Sequence, residues 1–189
     1  MSNRTLDKWR DQVLDFWFGP PPVENRAAWF TKDDGFDADI RARFSGLHAA
    51  AANGELDGMA CETRGCLALI IILDQFSRNL FRDDPRAWAY DPKALFLARQ
   101  AIKQGFDRAC TDIERTFIYL PFEHSEDLQV QVESVALFDT IDNELNQQYA
   151  RRHLEIIERF GRFPHRNEVL GRVTTAAERE FLKESDSAF

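Results

Sequence analysis

Apolar positions recur every three or four residues along nearly the whole chain, and no stretch alternates apolar and polar with hairpin turns. The pattern therefore predicts helices and no strands. Trp9, Val13, Phe16 and Trp17 form one stripe and predict a first helix over residues 5–18, stopped by Gly19 and Pro20-Pro21-Pro22. Trp29 and Phe30 are expected to anchor the following loop. Phe36, Ile40, Phe44 and Leu47 mark a second helix, continued through Ala49 to Ala52 and closed by Asn53-Gly54. Residues 63–81 are apolar nearly all round, which places that helix at the centre of the core. Asp84-Pro85 breaks it. Asp91-Pro92 reads as an N-cap and first-turn proline, opening a helix that Gly105 ends. The next helix is expected from Asp112 to Leu120, stopped at Pro121. Ser125 is expected to cap another that runs to Asp142, with Leu128, Val132, Val135, Phe138 and Ile141 inside. A further helix spans Asn143 to Phe160, with Gly161 as its cap, and Thr175 with Glu178 fits a capping box for a last short one.

Short connections between such helices favour antiparallel hairpins. The helix starts at Asp91 and Ser125 are 34 residues apart, the length of one tetratricopeptide (TPR) unit, without that repeat's usual residue spacing. No linker or low-complexity tract divides the 189 residues, so a single domain over 1–189 is expected, long enough to bury a sizeable core.

Composition narrows the partners. A net charge of −8 argues against general nucleic-acid binding and against docking on an anionic membrane, since both need a basic surface. The longest apolar run, Cys66 to Leu73, is too short to span a bilayer. The N-terminus reads without a signal peptide, and the three cysteines, Cys61, Cys66 and Cys110, lack C-x-x-C spacing. Reduced thiols in the cytoplasm are therefore expected.

Three stretches put charge where a helical core should be apolar. They are Leu73-Asp74-Gln75-Phe76-Ser77-Arg78-Asn79, Pro121-Phe122-Glu123-His124-Ser125-Glu126-Asp127 and Gly161-Arg162-Phe163-Pro164-His165-Arg166-Asn167. Lone buried charges are costly, so these groups are expected to meet one another in one site. Asp74 and Arg78 stand four apart and share a helix face, as do Gln75 and Asn79. Arg82 lies one turn beyond Arg78, and the two like charges call for an anion between them. His124 is expected between a carboxylate and a helix N-terminus, where it suits a general base, a metal ligand or a hydrogen-bonded core group. Asp127 fits a plain helix-dipole role.

From Arg151 to Arg172 there are six Arg and three Glu, a local surplus of positive charge in an acidic chain. Arg159 and Arg162 are expected to satisfy the last carbonyls of the helix ending at Phe160. Arg166 and Arg172 exceed that need, and the planar fork of Arg suits carboxylate or phosphate. Phe76-Ser77-Arg78-Asn79 and Phe163-Pro164-His165-Arg166-Asn167 echo one another, suggesting two similar anion-facing corners. Asp74, His124, Glu126 and His165 would supply nitrogen and oxygen donors to a metal only if they converged. No motif marks a cofactor, and no metal site is assigned.

Four landmarks carry a resemblance that spans nearly the whole chain. They are Val13-Leu14-Asp15-Phe16-Trp17-Phe18-Gly19, the segment from Leu69 to Phe81, Tyr119-Leu120-Pro121-Phe122-Glu123-His124-Ser125-Glu126, and Phe160-Gly161-Arg162-Phe163-Pro164-His165-Arg166-Asn167 followed by Leu170-Gly171-Arg172. In these the chain resembles the TPR-like, largely bacterial family catalogued as domain of unknown function 924. Ser77 departs from that family's usual Pro, which should loosen the corner after Phe76. The resemblance implies an all-α fold, a TPR-like right-handed superhelical stack of antiparallel helix hairpins, and implies no activity.

Three readings follow. In the first, a groove binds an anionic small molecule or a peptide carboxylate through Arg78, Arg82, Arg166 and Arg172. Asp74, Glu123, Glu126 and His165 border it and orient the Arg and His124. In the second, His124 with Glu126 or Glu123 serves as acid and base in a hydrolase, with or without a divalent metal. In the third, the charges only fix helix packing, and function lies in protein–protein contacts.

Overall fold

The chain folds into helices joined by turns, and among the described residues there is no strand. The structure is a computed structural model that describes residues 3–184 and Ser187, with side chains from residue 8 on. Met1 and Ser2, part of the stretch read for a leader, lie outside it. In order come α1 (Asn3–Phe18), α2 (Asp34–Ala52) and α3 (Thr63–Ile70). A π-helical segment, Ile71–Phe76, runs on from α3 into α4 (Ser77–Leu80). Then follow α5 (Asp91–Lys103), α6 (Asp112–Glu123), α7 (Leu128–Phe138), α8 (Glu144–Phe160) and α9 (Ala176–Phe181).

The apolar run of α3 becomes the centre of the fold, as its sequence demands. Every residue from Cys66 to Leu73 is fully buried. α1, α5 and α6 pack on α3, while α2 packs on α4 and the π-helical segment. Aromatic rings fill the gaps: Trp17 and Trp29 both meet the ring of Phe117, at 5.4 and 4.9 Å. Burying each such side chain stabilises the fold by about 1.5–3 kcal/mol. A second, smaller core of Ile156, Ile157, Phe163 and Phe181 joins α8, α9 and the turn at Pro164–Arg166. The charged stretches lie where the two cores meet.

The caps at Asp33, Thr111 and Asn143 hold their helices by accepting backbone N–H groups, and Thr175 with Glu178 completes the expected capping box. Gly161 closes α8 at φ 68°, a left-handed conformation that glycine adopts without strain.

Several expectations need correction. Pro121 does not stop its helix: α6 continues to Glu123, and His124 is its C-cap. Ser125 does not cap α7, because the Asp127 carboxylate accepts Gln129 N–H and Val130 N–H instead. α7 thus begins at Leu128 and ends at Phe138, short of Asp142, and leaves Leu128 and Val132 exposed. Asp91 is the first residue of α5 and caps nothing. Arg159 and Arg162 pair with Glu184 and Glu178 rather than with the last carbonyls of α8. Trp29 is buried and anchors its loop, while Phe30 is 61 % exposed and stacks on Phe117 at 6.3 Å. Ser77 does not loosen the corner after Phe76. Its hydroxyl donates to Leu73 O at 2.6 Å and meets His48 Nε2 at 2.8 Å, so the helix runs on.

Candidate functional site

The π-helical turn sets the site. One extra residue per turn rotates the chain after Ile70, a distortion often found at functional positions. It brings Asp74 inward at the end of the apolar run, fully buried. Asp74 Oδ1 lies 2.8 Å from His124 Nδ1 and 3.2 Å from Arg78 Nη1, and Oδ2 accepts from Gln75 Nε2 at 2.6 Å. Burial alone would raise the Asp74 carboxyl, but Arg78 and then His124 outweigh it and hold it below the usual range. An ionised carboxylate only accepts, so His124 carries its proton on Nδ1 and leaves Nε2 as a base. Burial, then Arg78, keep that imidazole neutral against the pull of Asp74.

His124 therefore sits at the C-terminal end of α6, not at a helix N-terminus. The exposed carbonyls there are tied by α7: Gln131 Nε2 donates to Glu123 O at 2.7 Å and to Ser125 O at 2.6 Å. Next to it Glu123 is buried, its side chain 6 % exposed, with Oε1 3.4 Å from His153 Nδ1. Burial, then the nearby Asp74, push the Glu123 carboxyl up to about 8, so it is a neutral acid at pH 7. His153 Nδ1 donates to Tyr149 O at 2.9 Å, and burial drives its imidazole down to about 3.

The echoed arginines converge on one carboxylate, Asp91. Arg78 Nη1 and Nη2 donate to Asp91 Oδ1 and Oδ2 at 3.0 and 3.1 Å, and Nη1 also donates to Asp74 O at 2.7 Å. Arg166 approaches the same group less closely, Nη1 lying 3.7 Å from Asp91 Oδ2. The Arg166 side chain is 7 % exposed, and its guanidinium lies 4.5 Å from the ring of Phe163 and 5.5 Å from that of Trp88. Its Nε is buried without a hydrogen-bond partner among the described residues. Burial lowers Arg166 to about 10, against the support of Asp91. His165, beside it, is driven down to about 3 by burial and then by Arg166. The cluster is closed at Asp74 and reaches solvent at Arg78, Asp91 and His124, whose side chains keep 21 %, 14 % and 14 % of their exposure.

Other expected members go elsewhere. Glu126 does not join His124: it accepts from Phe163 N at 2.8 Å and from both Arg172 terminal nitrogens, at 2.7 and 3.1 Å. Arg172 is further held by Asn167 Oδ1 and Phe163 O, so it has little left for a ligand. Arg82 is no partner to Arg78 across an anion. It forks onto Asp37, which also accepts from Asn79 Nδ2 at 2.8 Å, while Gln75 turns to Asp74. Among the described residues no three His, Cys, Asp or Glu side chains group closely enough to hold a metal, so the donors Asp74, His124, Glu126 and His165 do not converge.

Asp91, His153 and Trp88 belong to the cluster and were not among the expected residues. His153 carried a signal: it shares the buried stripe of α8 with Ala150, Ile156 and Ile157. Asp91 carried none, because an acidic residue before a first-turn proline reads as a cap.

A family model described as bacterial protein of unknown function (DUF924) matches residues 13–186. The solved structure of a protein of unknown function from Agrobacterium tumefaciens is similar at 42 % identity and a TM-score of 0.88, over 95 % of this chain and 99 % of that one. No curated protein matches the chain.

Proposed function

The chain belongs to the DUF924 family, and from its charged seam we propose that it binds a small anion, with Arg166 as the group that takes the charge. One observation carries this reading: among the described residues this guanidinium, almost wholly buried, makes no side-chain hydrogen bond and stands 3.7 Å from its nearest carboxylate. Arg has five donors in a rigid fork, and leaving the buried Nε–H of Arg166 unused is costly. An anion on that fork would use them. Asp74, Glu123, His124 and His165 border the position, and Arg78 holds Asp91 in place beside it. Glu126 and Arg172 act from behind by fixing Phe163, the ring against Arg166. The occupant is a small molecule or the carboxylate end of a peptide. α5 on α6, α6 on α7 and α7 on α8 support a TPR-like, right-handed superhelical stack as its frame. Free cysteines, Cys66 among them buried and pushed up to about 12 by burial, fit a cytoplasmic protein.

The test is calorimetric titration with acetate, benzoate and inorganic phosphate. At least one should bind the wild type, and Arg166→Met should abolish that binding while the variant still melts cooperatively. Equal binding by both proteins would end the reading.

A second reading draws on the hydrogen bond between Asp74 and His124, an arrangement that orients an imidazole as a general base. It makes the same cluster a hydrolase, with neutral Glu123 rather than Glu126 as the acid. Hydrolysis of a panel of esters, amides and phosphate esters, lost in His124→Gln, would support it. No turnover of any of them would remove it. No helix among the described residues is long and apolar enough to cross a membrane.

A further inference from the structure

We infer that the outer face of α5 and α7 is a self-association surface, on which a second copy of this chain packs about a two-fold axis passing near Val132. The inference is independent of the charged cluster and of what binds there.

The face is apolar where the monomer leaves it uncovered. The apolar pattern of the sequence places Leu128 and Val132 inside, yet they are 50 % and 47 % exposed, and Phe96 on α5 is 59 % exposed. Leu128, Val132 and Ala136 follow at four-residue steps along α7, so they form one exposed stripe. α7 is thus apolar on its outer side as well as its inner one, the pattern of a helix covered all round.

Charge is nearly absent there. α7 carries one charged residue, Glu133, and Arg99 of α5 neutralises it at 2.8 Å. Together α5 and α7 carry +1, from Lys93, Arg99 and Lys103 against Asp91 and Glu133, in a chain of net charge −8. Copies of an acidic chain repel one another, over a Debye length of about 8 Å in physiological salt. They approach most easily through a face with little charge of its own. The exposed Leu145 and Tyr149 of α8 offer no such face, because that helix carries six charged residues.

Shape selects a second copy over a peptide. Arg99 lies over the ring of Phe122 in α6, 5.2 Å from its centre, while it reaches Glu133. It thereby fills the gap between α5 and α7, and the two helices present a flat face rather than a groove for one strand or helix. A flat pair of helices is complementary to another such pair. In a two-fold pairing the stripe of one α7 lies antiparallel on the stripe of the other. Val132, its middle residue, then meets its own copy, and Leu128 meets Ala136. The same operation turns a surface holding one Arg and one Glu against itself, so each finds the opposite sign.

Size sets the strength. The 13 residues of α5 are about 20 Å long, and with α7 beside it the face is about 20 Å wide. A footprint of about 400 Å² per copy is small for a protein contact, so the dimer is weak and reversible, in the micromolar range.

Sedimentation velocity of the full chain, from about 1 to about 200 µM, tests this. The wild type should pass from monomer to dimer across that range. Val132→Glu and Val132→Lys should each keep the wild-type melting temperature and stay monomeric at the highest concentration, because like charges face one another across the axis. An equimolar mixture of the two should dimerise again. Phe96→Ser, away from the axis, should weaken the dimer at least tenfold, and it carries the test if a Val132 variant fails to fold. A wild type that stays monomeric throughout would overturn the inference and leave the face to a different protein or to lipid. A dimer that survives in both Val132 variants and in Phe96→Ser would overturn it too, by placing the contact elsewhere. A mixture that stays monomeric would overturn the two-fold pairing at Val132.

Discussion

Arg78 and Arg166 stand in echoed sequences and reach the same carboxylate, yet they are in opposite states. Arg78 makes two in-plane bonds to Asp91, a third to Asp74 O, and lies 3.2 Å from Asp74 Oδ1. Burial works against its charge, but Asp74 and Asp91 outweigh that and raise it above the ordinary arginine value. Arg166 has one distant carboxylate and two aromatic rings, and burial prevails. Residue type is the same, and each arginine follows a nearby Phe and precedes an Asn. The difference comes from which partners the fold brings, so one arginine fixes helices and the other is left with unused donors.

Removing each arginine in turn tests the contrast most severely. Arg78→Met would leave the buried Asp74 and the half-buried Asp91 with too little positive charge, a loss of about 3–5 kcal/mol. For a chain of this size that lowers the melting temperature by roughly 10 °C. Arg166→Met exchanges a poorly satisfied charge for a flexible apolar side chain, so its stability should lie within about 1 kcal/mol of the wild type or above it. Denaturant titration of both variants is the measurement. Equal losses would mean that Arg166 is structural after all.

The pH dependence of melting sharpens the comparison at its acidic neighbour. Between about 4.5 and 8 the folded protein holds a proton on Glu123 that the unfolded chain has released, so stability falls as pH rises through that range. His153 and His165 act in the other direction. Their folded values near 3 lie below the ordinary 6.5, so the unfolded chain binds protons that the native one refuses, and stability falls as pH drops below 6.5. Two histidines against one glutamate place the optimum of these three groups near pH 6.5. Glu123→Gln should remove the alkaline limb, melting roughly 5 °C above the wild type at pH 8.5 and much closer to it at pH 5. A variant with the wild-type alkaline limb would show that Glu123 is ionised in the fold.

Glu126 offers a smaller effect behind Arg166. Its carboxylate holds Phe163 N and Arg172, and Phe163 is the ring against Arg166. Glu126→Gln keeps the shape but removes the charge, so a loss of about 1–2 kcal/mol is expected. Anion binding should weaken several-fold as Phe163 loosens. Wild-type affinity in this variant would detach Phe163 from the site.

Helix positions were legible because apolar stripes, caps and helix-ending glycines are local signals. The charged site was half legible. Buried charge in three stretches predicts that they meet, and Asp74, Arg78, Glu123 and His124 do meet, with Arg166 joined to Arg78 through Asp91. What pairs with what was not legible, since it depends on tertiary contacts. Pro121 misled because a proline removes a single helix bond, and Gln131 from α7 satisfies the carbonyls at the end of α6. That extra turn moved His124 from a helix start to a helix end. The π-helical turn was invisible for the same reason, because Ile71 to Leu73 are as apolar as an α-helical core would be. Arg82 shows the limit most plainly. Its spacing from Arg78 is right for a shared anion, but Asp37 of α2 lies within reach and takes it.

Arg82 also gives the smallest expected effect. The Arg82 side chain is one-third exposed, and buried Asp37 would keep the Asn79 hydrogen bond and the nearby charge of Arg41 without it. Solvent screens such a pair, so Arg82→Ala should cost no more than about 1 kcal/mol. Anion affinity should stay within twofold of the wild type, because the arginine already has its anion and that anion belongs to the protein. A larger loss of affinity would return Arg82 to the site and make spacing along the helix, rather than tertiary pairing, the rule that decides which arginine binds.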